Sequence, residues 1–206
     1  MKIQYLKKKP EKYDFDNVIY VWDDFLSESI SDFIDQEVYM HTNWRYCNQV
    51  ISPECCHTLW GISYTENRPR YIDNLISILE FNTGVSIYKP EYIGLNGQTK
   101  GMDACLHRDC AKEEDAKNSI SFLHYIGNGD SNGDLIIYND DREPIDRIEF
   151  RKNRVVLFDG WVPHSANGPD NTTLRMSFVY RGFSERGKKS KAEIWNENNN
   201  VDANSR

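Results

Sequence analysis

The chain has 206 residues, a length that suits a single domain with a sizeable core. Hydrophobic residues make up 39% of the chain and aromatic residues 13%, which excludes a disordered protein. The formal net charge of −7 argues against a broad surface for nucleic acid or for an anionic membrane.

The first ten residues are positively charged but lack the apolar run of a signal peptide. No stretch of about 18 apolar residues occurs anywhere in the sequence. We therefore expect a soluble, cytoplasmic protein without a membrane segment. The 5 cysteines are an odd number, and the adjacent Cys55 and Cys56 are an awkward set for disulfides, so reduced thiols are expected.

Two segments have the three-and-four spacing of apolar residues that is typical of amphipathic helices. The first helix is predicted over about residues 27–40, with Ser27 or Ser29 as its N-cap. Its apolar positions are Ile30, Phe33, Ile34 and Val38. The second is predicted over about residues 70–83, and Gly84 is expected to end it. Its apolar positions are Ile72, Leu75, Ile76 and Leu79.

Beyond Gly84 the sequence changes to short β-rich segments separated by Gly, Asn, Asp and Pro. The predicted strands are Val85–Gly94, Met102–His107, Ser119–Ile126, Asp134–Tyr138, Ile145–Phe150, Val155–Phe158 and Leu174–Tyr180. Short strands at this spacing indicate a mostly β fold, an antiparallel sandwich or barrel with the helices packed on one side. The last segment, 184–206, is rich in Lys, Glu and then Asn, and we expect it to form a polar tail.

One set of residues predicts a metal site. His107 and Asp109 are two residues apart, so in a strand or at a strand end they project from the same face. His164 follows directly after the apolar strand predicted at Val155–Phe158. Two histidines and one carboxylate form the facial triad of non-haem Fe(II) oxygenases, which leaves three coordination positions open. The alternative is that these are ordinary surface or core residues.

A second set of residues lies in the last predicted strand, Leu174–Tyr180. Alternation places Arg175 and Ser177 on one face of this strand and its apolar residues on the other. An inward-facing guanidinium requires an anion, and a planar carboxylate accepts two parallel hydrogen bonds from it. The pattern therefore predicts an anion site in the cavity. The alternative is a surface arginine on an edge strand.

Taken in order, these motifs resemble the Fe(II)/2-oxoglutarate-dependent dioxygenases, particularly the prolyl-hydroxylase-like branch. The matching residues are His107-x-Asp109, Asn132-Gly133-Asp134-Leu135, Pro163-His164 and Arg175-x-Ser177. The resemblance implies a double-stranded β-helix of the jelly-roll or cupin type over about residues 85–183, within one oxygenase domain spanning residues 1–183. It also implies that the catalytic centre is an Fe(II) ion held by His107, Asp109 and His164.

The resemblance further assigns the cosubstrate, 2-oxoglutarate, to the second set of residues. Arg175 and Ser177 would bind its distal carboxylate, and the hydroxyl of Tyr125 would also contact it. Tyr92 resembles another tyrosine on the cosubstrate side, and a place in the core is the alternative for it. The branch often has Lys where this chain has Arg175, a departure that weakens any transfer of substrate identity.

The implied reaction uses O2 and 2-oxoglutarate, releases succinate and CO2, and hydroxylates a peptide, a protein side chain or a small metabolite. Asp109 favours hydroxylation or oxidative demethylation, because halogenating members of the family lack this carboxylate. One alternative is an AlkB-type nucleic-acid demethylase. Arg181 resembles the second arginine of those enzymes, but Ser177 and Val179 replace the expected Asn and Thr, and the negative net charge disfavours nucleic acid. A non-catalytic metal-binding β-barrel is the other alternative.

Overall fold

The computed structural model describes residues 1–52, 55–110, 112, 118–127 and 133–185, without the side chains of residues 41, 47–52 and 55–58. Asn132 and residues 186–206 of the predicted tail therefore lie outside the described residues. The helices are α1 (Glu28–His41) and α2 (Arg70–Thr83). The strands are β1 (Lys2–Leu6), β2 (Val18–Trp22), β3 (Arg45–Ser52), β4 (Cys55–Ser63), β5 (Ile87–Gln98), β6 (Ser119–Ile126), β7 (Leu135–Tyr138), β8 (Pro144–Ile148), β9 (Val155–Asp159), β10 (His164–Ala166) and β11 (Arg175–Ser184).

Both helices form where their periodicity predicts them. Gly84 ends α2 in the left-handed conformation, with φ 74°, and its N–H donates to the carbonyl of Glu80 at 2.8 Å. Ser27 occupies the N-cap position of α1, although its side chain makes no capping hydrogen bond. The predicted apolar face of α1 is wrong at Ile30 and Phe33, which are 40% and 52% exposed. Only its inner half, which includes Ile34 and Val38, packs into the core.

The strands depart from the prediction in three ways. Strands β1 to β4 and β10 are absent from the prediction, and the predicted β5 ends at Gly94 although the strand continues to Gln98. The predicted strand at Met102–His107 is wrong. This segment follows Gly101, whose φ is 82°, and forms a loop with a single bridge between His107 and His164. The N–H of Met102 donates to the carbonyl of Thr99 at 3.0 Å, and the N–H of Ala104 donates to the carbonyl of Ala166 in β10 at 2.8 Å.

The strands form two sheets that face each other. The large sheet has the order β1-β2-β9-β6-β11-β5-β4-β3, and the small sheet has the order β10-β7-β8. All pairs are antiparallel except the parallel pair of β1 and β2 at one edge. The bridge to His164 adds His107 beside β10, so both histidines lie along the small sheet. This arrangement confirms the predicted mostly β fold.

A hydrophobic cluster lies on each face of the large sheet. One cluster packs the helices on the outer face through residues such as Ile72, Leu75 and Phe178. The other fills the space between the sheets, with Leu123 and Ile137 among its members. Alternation along β6 and β11 sends successive side chains to these two sides. The space between the sheets is therefore where inward-facing polar residues of these strands can meet.

The cysteines differ from the prediction at one position. Cys105 is disulfide-bonded, so the expectation of reduced thiols is wrong there, whereas Cys110 is free and buried. Disulfide formation depends on the separation of the Cα atoms in the fold, which sequence spacing does not give.

In the part of the chain that the structure describes, neither helix has the length and apolar character needed to span a bilayer.

Candidate metal centre and anion pocket

The main chain sets the spacing of the two histidines. The N–H of His107 donates to the carbonyl of His164 at 2.9 Å, and the N–H of His164 donates to the carbonyl of His107 at the same distance. Each Nδ1 lies near a carbonyl oxygen, that of Cys105 for His107 at 3.0 Å and that of Val162 for His164 at 2.9 Å. Because a carbonyl only accepts, each Nδ1 carries the proton and each Nε2 keeps its lone pair.

Asp109 faces both of these Nε2 atoms. Its Oδ1 lies 3.6 Å from Nε2 of His107, and its Oδ2 lies 3.8 Å from Nε2 of His164. The candidate ligand atoms of the three residues all lie within 4.8 Å of one another. All three side chains are largely out of solvent, with exposures of 14% for His107, 8% for Asp109 and 7% for His164. The structure therefore brings the predicted triad together.

The charge states suit a metal. Burial alone would raise the pKa of Asp109, but His164, Arg181 and His107 hold it well below the usual carboxyl range. Burial and the neighbouring His107 lower the pKa of His164 to about 4. An ionised carboxylate and a neutral imidazole are the forms that bind a divalent transition metal. The residues thus fit the Fe(II) ion implied by the resemblance.

Arg175 lies on the inner face of β11 and is 2% exposed. Its Nε donates to the carbonyl of Gly133 at 2.6 Å, and its Nη1 donates to Oε1 of Gln98 at 2.7 Å. Among the described residues, the buried Nη2 has no hydrogen-bond partner, and neither has the buried hydroxyl of Tyr125. The guanidinium carbon lies 5.1 Å from the centre of the Tyr125 ring. We call Arg175, Tyr125, Gln98 and Gly133 the anion pocket.

The anion pocket fits the carboxylate of 2-oxoglutarate. A buried cation whose described partners are neutral oxygens, together with unpartnered N–H and O–H groups, can bind an anion that accepts from both. Burial raises the pKa of Tyr125, so its hydroxyl keeps the proton that it would donate. Ser177 is also buried on this face, opposite Tyr125 in the register of β6 and β11.

Tyr92, for which the resemblance implies a place on the cosubstrate side, lies beside Arg181 in the large sheet. It pairs in register with Arg181, six residues from Arg175 along β11. Its hydroxyl donates to Oδ1 of Asn96 at 3.0 Å, and its ring lies 5.5 Å from the guanidinium carbon of Arg181. The structure therefore brings Tyr92 to Arg181 and to the metal side of the cavity.

Sequence reasoning missed Gln98 and Ser121. Gln98 holds Nη1 of Arg175, and it was not found because the predicted β5 ended at Gly94. Ser121 donates to Oδ2 of Asp109 at 2.7 Å. The signal for Ser121 was present, since a serine alternates with apolar residues in a strand where every position is buried. A buried hydroxyl at such a position requires a partner.

No family model matches the sequence, and no curated protein matches it. The structure is similar to that of a Pseudomonas putida prolyl-4-hydroxylase, with a TM-score of 0.61 and 14% identity over 82% of this chain and 93% of that chain. It is also similar to a Trichoplax adhaerens prolyl hydroxylase solved with a hypoxia inducible factor oxygen degradation domain peptide fragment. That comparison gives a TM-score of 0.60 and 18% identity over 81% of this chain and 84% of that chain.

A third similar structure is a Burkholderia pseudomallei oxidoreductase of the 2OG-Fe(II) oxygenase family. Its TM-score is 0.62 at 13% identity, over 84% of this chain and 88% of that chain. These three similarities extend over most of this chain and of each matched chain, at low sequence identity. The chain therefore has the double-stranded β-helix fold of the Fe(II)/2-oxoglutarate oxygenases, and its predicted resemblance to the prolyl-hydroxylase-like branch is confirmed at the level of the fold.

Proposed function

We propose that the chain is an Fe(II)- and 2-oxoglutarate-dependent dioxygenase that hydroxylates a peptide, a protein side chain or a small metabolite. One observation carries the proposal. The triad of His107, Asp109 and His164 and the anion pocket around Arg175 both lie between the two sheets. The candidate ligand atoms of the triad lie within 4.8 Å of one another, and in the anion pocket two buried polar groups have no partner among the described residues. A metal and a carboxylate in one cavity are the two requirements of this chemistry.

The triad residues would hold the metal. His107 and His164 offer Nε2 lone pairs that the Nδ1 contacts keep pointed at Asp109. Asp109 offers an ionised carboxylate that neutralises one of the two metal charges. Bound Fe(II) and 2-oxoglutarate supply the oxidative chemistry, in which O2 is reduced, the cosubstrate becomes succinate and CO2, and a substrate C–H bond is hydroxylated.

The anion pocket would orient the cosubstrate. Nη2 of Arg175 and the hydroxyl of Tyr125 would both donate to one carboxylate, and Ser177 lies on the same face of the sheet. Gly133 accepts from Nε of Arg175 and Gln98 accepts from Nη1, whereas Nη2 has no partner among the described residues and would bind the ligand. The carboxylate is thus directed to one end of the cavity.

Apolar side chains keep this space dry. Leu123 and Phe158 of the large sheet and Ile137 of the small sheet belong to the cluster between the sheets, and each is 8% exposed or less. The ring of Phe158 also packs edge-on against His164, with centroids 5.0 Å apart. A dry cavity strengthens the charge interactions of Arg175 and Asp109 and shields reactive species from water.

Two observations support the substrate class. The negative net charge disfavours attraction of a polyanion. One of the similar structures holds a peptide fragment, which shows that this architecture can accept a peptide in that protein. A peptide, a protein side chain or a small metabolite such as a free amino acid therefore comes first, and nucleic acid is the class to test against it.

The test is succinate formation by protein reconstituted with Fe(II), 2-oxoglutarate and ascorbate. The panel contains prolyl peptides, free amino acids and methylated single-stranded DNA and RNA, each at low and moderate salt. We expect one peptide or amino-acid class to stimulate succinate formation and to gain the mass of one oxygen atom. His107→Ala and Asp109→Ala should abolish both signals and weaken anaerobic Fe(II) binding, because each removes a ligand.

The matched control is Asp73→Ala, which removes a half-exposed carboxylate paired with Arg68 far from the triad in sequence. It should leave succinate formation and Fe(II) binding unchanged. Fe(II) binding that is equally unchanged in His107→Ala and Asp109→Ala would disprove the metal site. Turnover on methylated oligonucleotides alone, falling steeply with salt, would favour a nucleic-acid demethylase instead.

A further inference from the structure

The carboxylate of Asp109 has a protein donor on each of its oxygens. Ser121 donates its hydroxyl to Oδ2 at 2.7 Å, and Nη1 of Arg181 donates to Oδ1. The donors come from the neighbouring strands β6 and β11, where Arg181 and Ser121 are direct register partners. A carboxylate rotates freely about its Cβ–Cγ bond unless it is held. Because each oxygen of Asp109 accepts from a different donor, the plane of its carboxylate is fixed.

Tyr92 is the register partner of Arg181 on the opposite side of β11. Its ring lies 5.5 Å from the guanidinium carbon, a distance at which an aromatic face attracts a cation. The bond from its hydroxyl to Asn96 holds the ring along the strand. We call Tyr92, Arg181 and Ser121 the carboxylate rung, because these three residues lie side by side across three strands.

The carboxylate rung is separate from the anion pocket. Arg175 and Arg181 share a face of β11 but are six residues apart, which is about 20 Å at the rise of a β-strand. Arg175 has no described contact with Asp109, whereas Arg181 forms an ion pair with it. The two inward-facing arginines of this strand therefore serve different ends of the cavity.

We propose that Arg181 is a positioning residue for the metal. It acts through Asp109, whose carboxylate it holds in the orientation that faces the two histidines, and Tyr92 supports it from the other side. This inference rests on the metal site of the proposed function. Partners that orient metal ligands are worth roughly ten- to a hundredfold in metal affinity, which is the size of effect expected here.

The experiment is an anaerobic titration of the full chain with Co(II), followed by the visible absorption of the bound ion. Arg181→Met keeps the length of the side chain and removes its charge and donors. We expect it to weaken Co(II) binding by roughly ten- to a hundredfold and to change the absorption spectrum of the bound ion. Arg181→Lys retains a charged donor and should restore part of the affinity.

Two further variants test the support from Tyr92. Tyr92→Phe keeps the ring but loses the bond to Asn96, so it should weaken Co(II) binding less than Tyr92→Leu, which also removes the aromatic face. This pair, with Arg181→Lys, decides the question if Arg181→Met fails to fold. Arg151→Met is the matched control, since Arg151 is half exposed and pairs with Asp23 and Asp24.

The outcomes separate the two proposals. Unchanged Co(II) affinity and spectrum in Arg181→Met would overturn the role of Arg181 and leave the metal site intact. If Arg181→Met does not fold, unchanged binding in both Arg181→Lys and Tyr92→Leu would overturn it. Co(II) binding that survives His107→Ala unchanged, or that is missing from the unmodified chain, would overturn the metal site itself and the inference with it.

Discussion

Arg175 is a buried cation whose described hydrogen-bond partners are the neutral oxygens of Gly133 and Gln98. Burial lowers its pKa, while the nearby Tyr125 and Asp134 act in the opposite direction. A charge with so little compensation is costly to bury, and an anion in contact with it recovers part of that cost. A bound anion would therefore offset part of the cost of burying this side chain.

We predict that Arg175→Met weakens 2-oxoglutarate binding by roughly tenfold to a few hundredfold, the value of a charge-assisted pair. Isothermal titration under argon measures the dissociation constant, and the KM for 2-oxoglutarate measures the same loss during turnover. Fe(II) binding should change far less, because Arg175 has no described contact with the triad. An unchanged dissociation constant would remove the anion pocket from the proposal.

The sequence predicts the site residues that carry chemically distinctive groups, but it does not predict those whose role depends on how the strands pair. His107, Asp109, His164 and Arg175 carry groups that need a ligand, so their pattern was informative. The partners of Gln98 and Ser121 depend on how β5, β6 and β11 pair side by side. The register in which strands pair is set by the whole sheet, so it cannot be derived from the sequence of one strand.

At the scale of elements, β5 owes its shape near the site to Gly94. A Cβ at this position would lie 2.4 Å from the hydroxyl oxygen of Tyr92 and 2.7 Å from the carbonyl oxygen of Ile62 on β4. Both distances are shorter than ordinary van der Waals contact. The missing side chain lets Tyr92 fold along β5 and lets β4 approach.

We predict that Gly94→Ala lowers the free energy of unfolding by about 1–3 kcal/mol, the usual cost of overpacking. Urea denaturation measures this change. Co(II) affinity should fall as well, because the displaced Tyr92 no longer supports Arg181.

The double variant Tyr92→Ala/Gly94→Ala separates the two clashes. Compared with Tyr92→Ala alone, it shows the part of the stability loss that comes from the carbonyl of Ile62. Equal stability of Gly94→Ala and the unmodified chain would show that β5 accepts a side chain there.

The helices were predicted closely and the first strands were not. The helical spacing of apolar residues in α2 is clear in the sequence because Ile72, Leu75 and Leu79 all face one core. The strand β2 is a short run in which four of the five residues are buried, so it lacks the alternation that marks a half-exposed strand. An apolar run of this length does not distinguish a strand from part of a helix.

At the scale of the molecule, His124 links stability to pH. It lies on β6, is 1% exposed, and neither ring nitrogen has a hydrogen-bond partner among the described residues. Burial lowers its pKa to about 4. The folded chain therefore keeps this imidazole neutral, while the unfolded chain takes up a proton near pH 6.5.

We predict that His124 contributes stability above pH 6.5 that is lost as the pH falls toward 4, up to about 3 kcal/mol. The sign follows because the unfolded state binds more protons across this window. Urea denaturation at several pH values measures it, with His124→Leu as the comparison. The difference in stability between the two chains should shift in favour of His124→Leu as the pH falls. A constant difference would contradict the assignment.

The reciprocal bonds between His107 and His164 have a consequence for how the site could change. They join main-chain atoms only, so any residue except proline at these two positions can form them. The distance between the histidine backbones is thus a property of the fold, and the choice of donor atom is a property of the sequence. Other metal-binding side chains could therefore be introduced at residues 107 and 164 one substitution at a time, because the main-chain hydrogen bonds would still set the distance between the two positions.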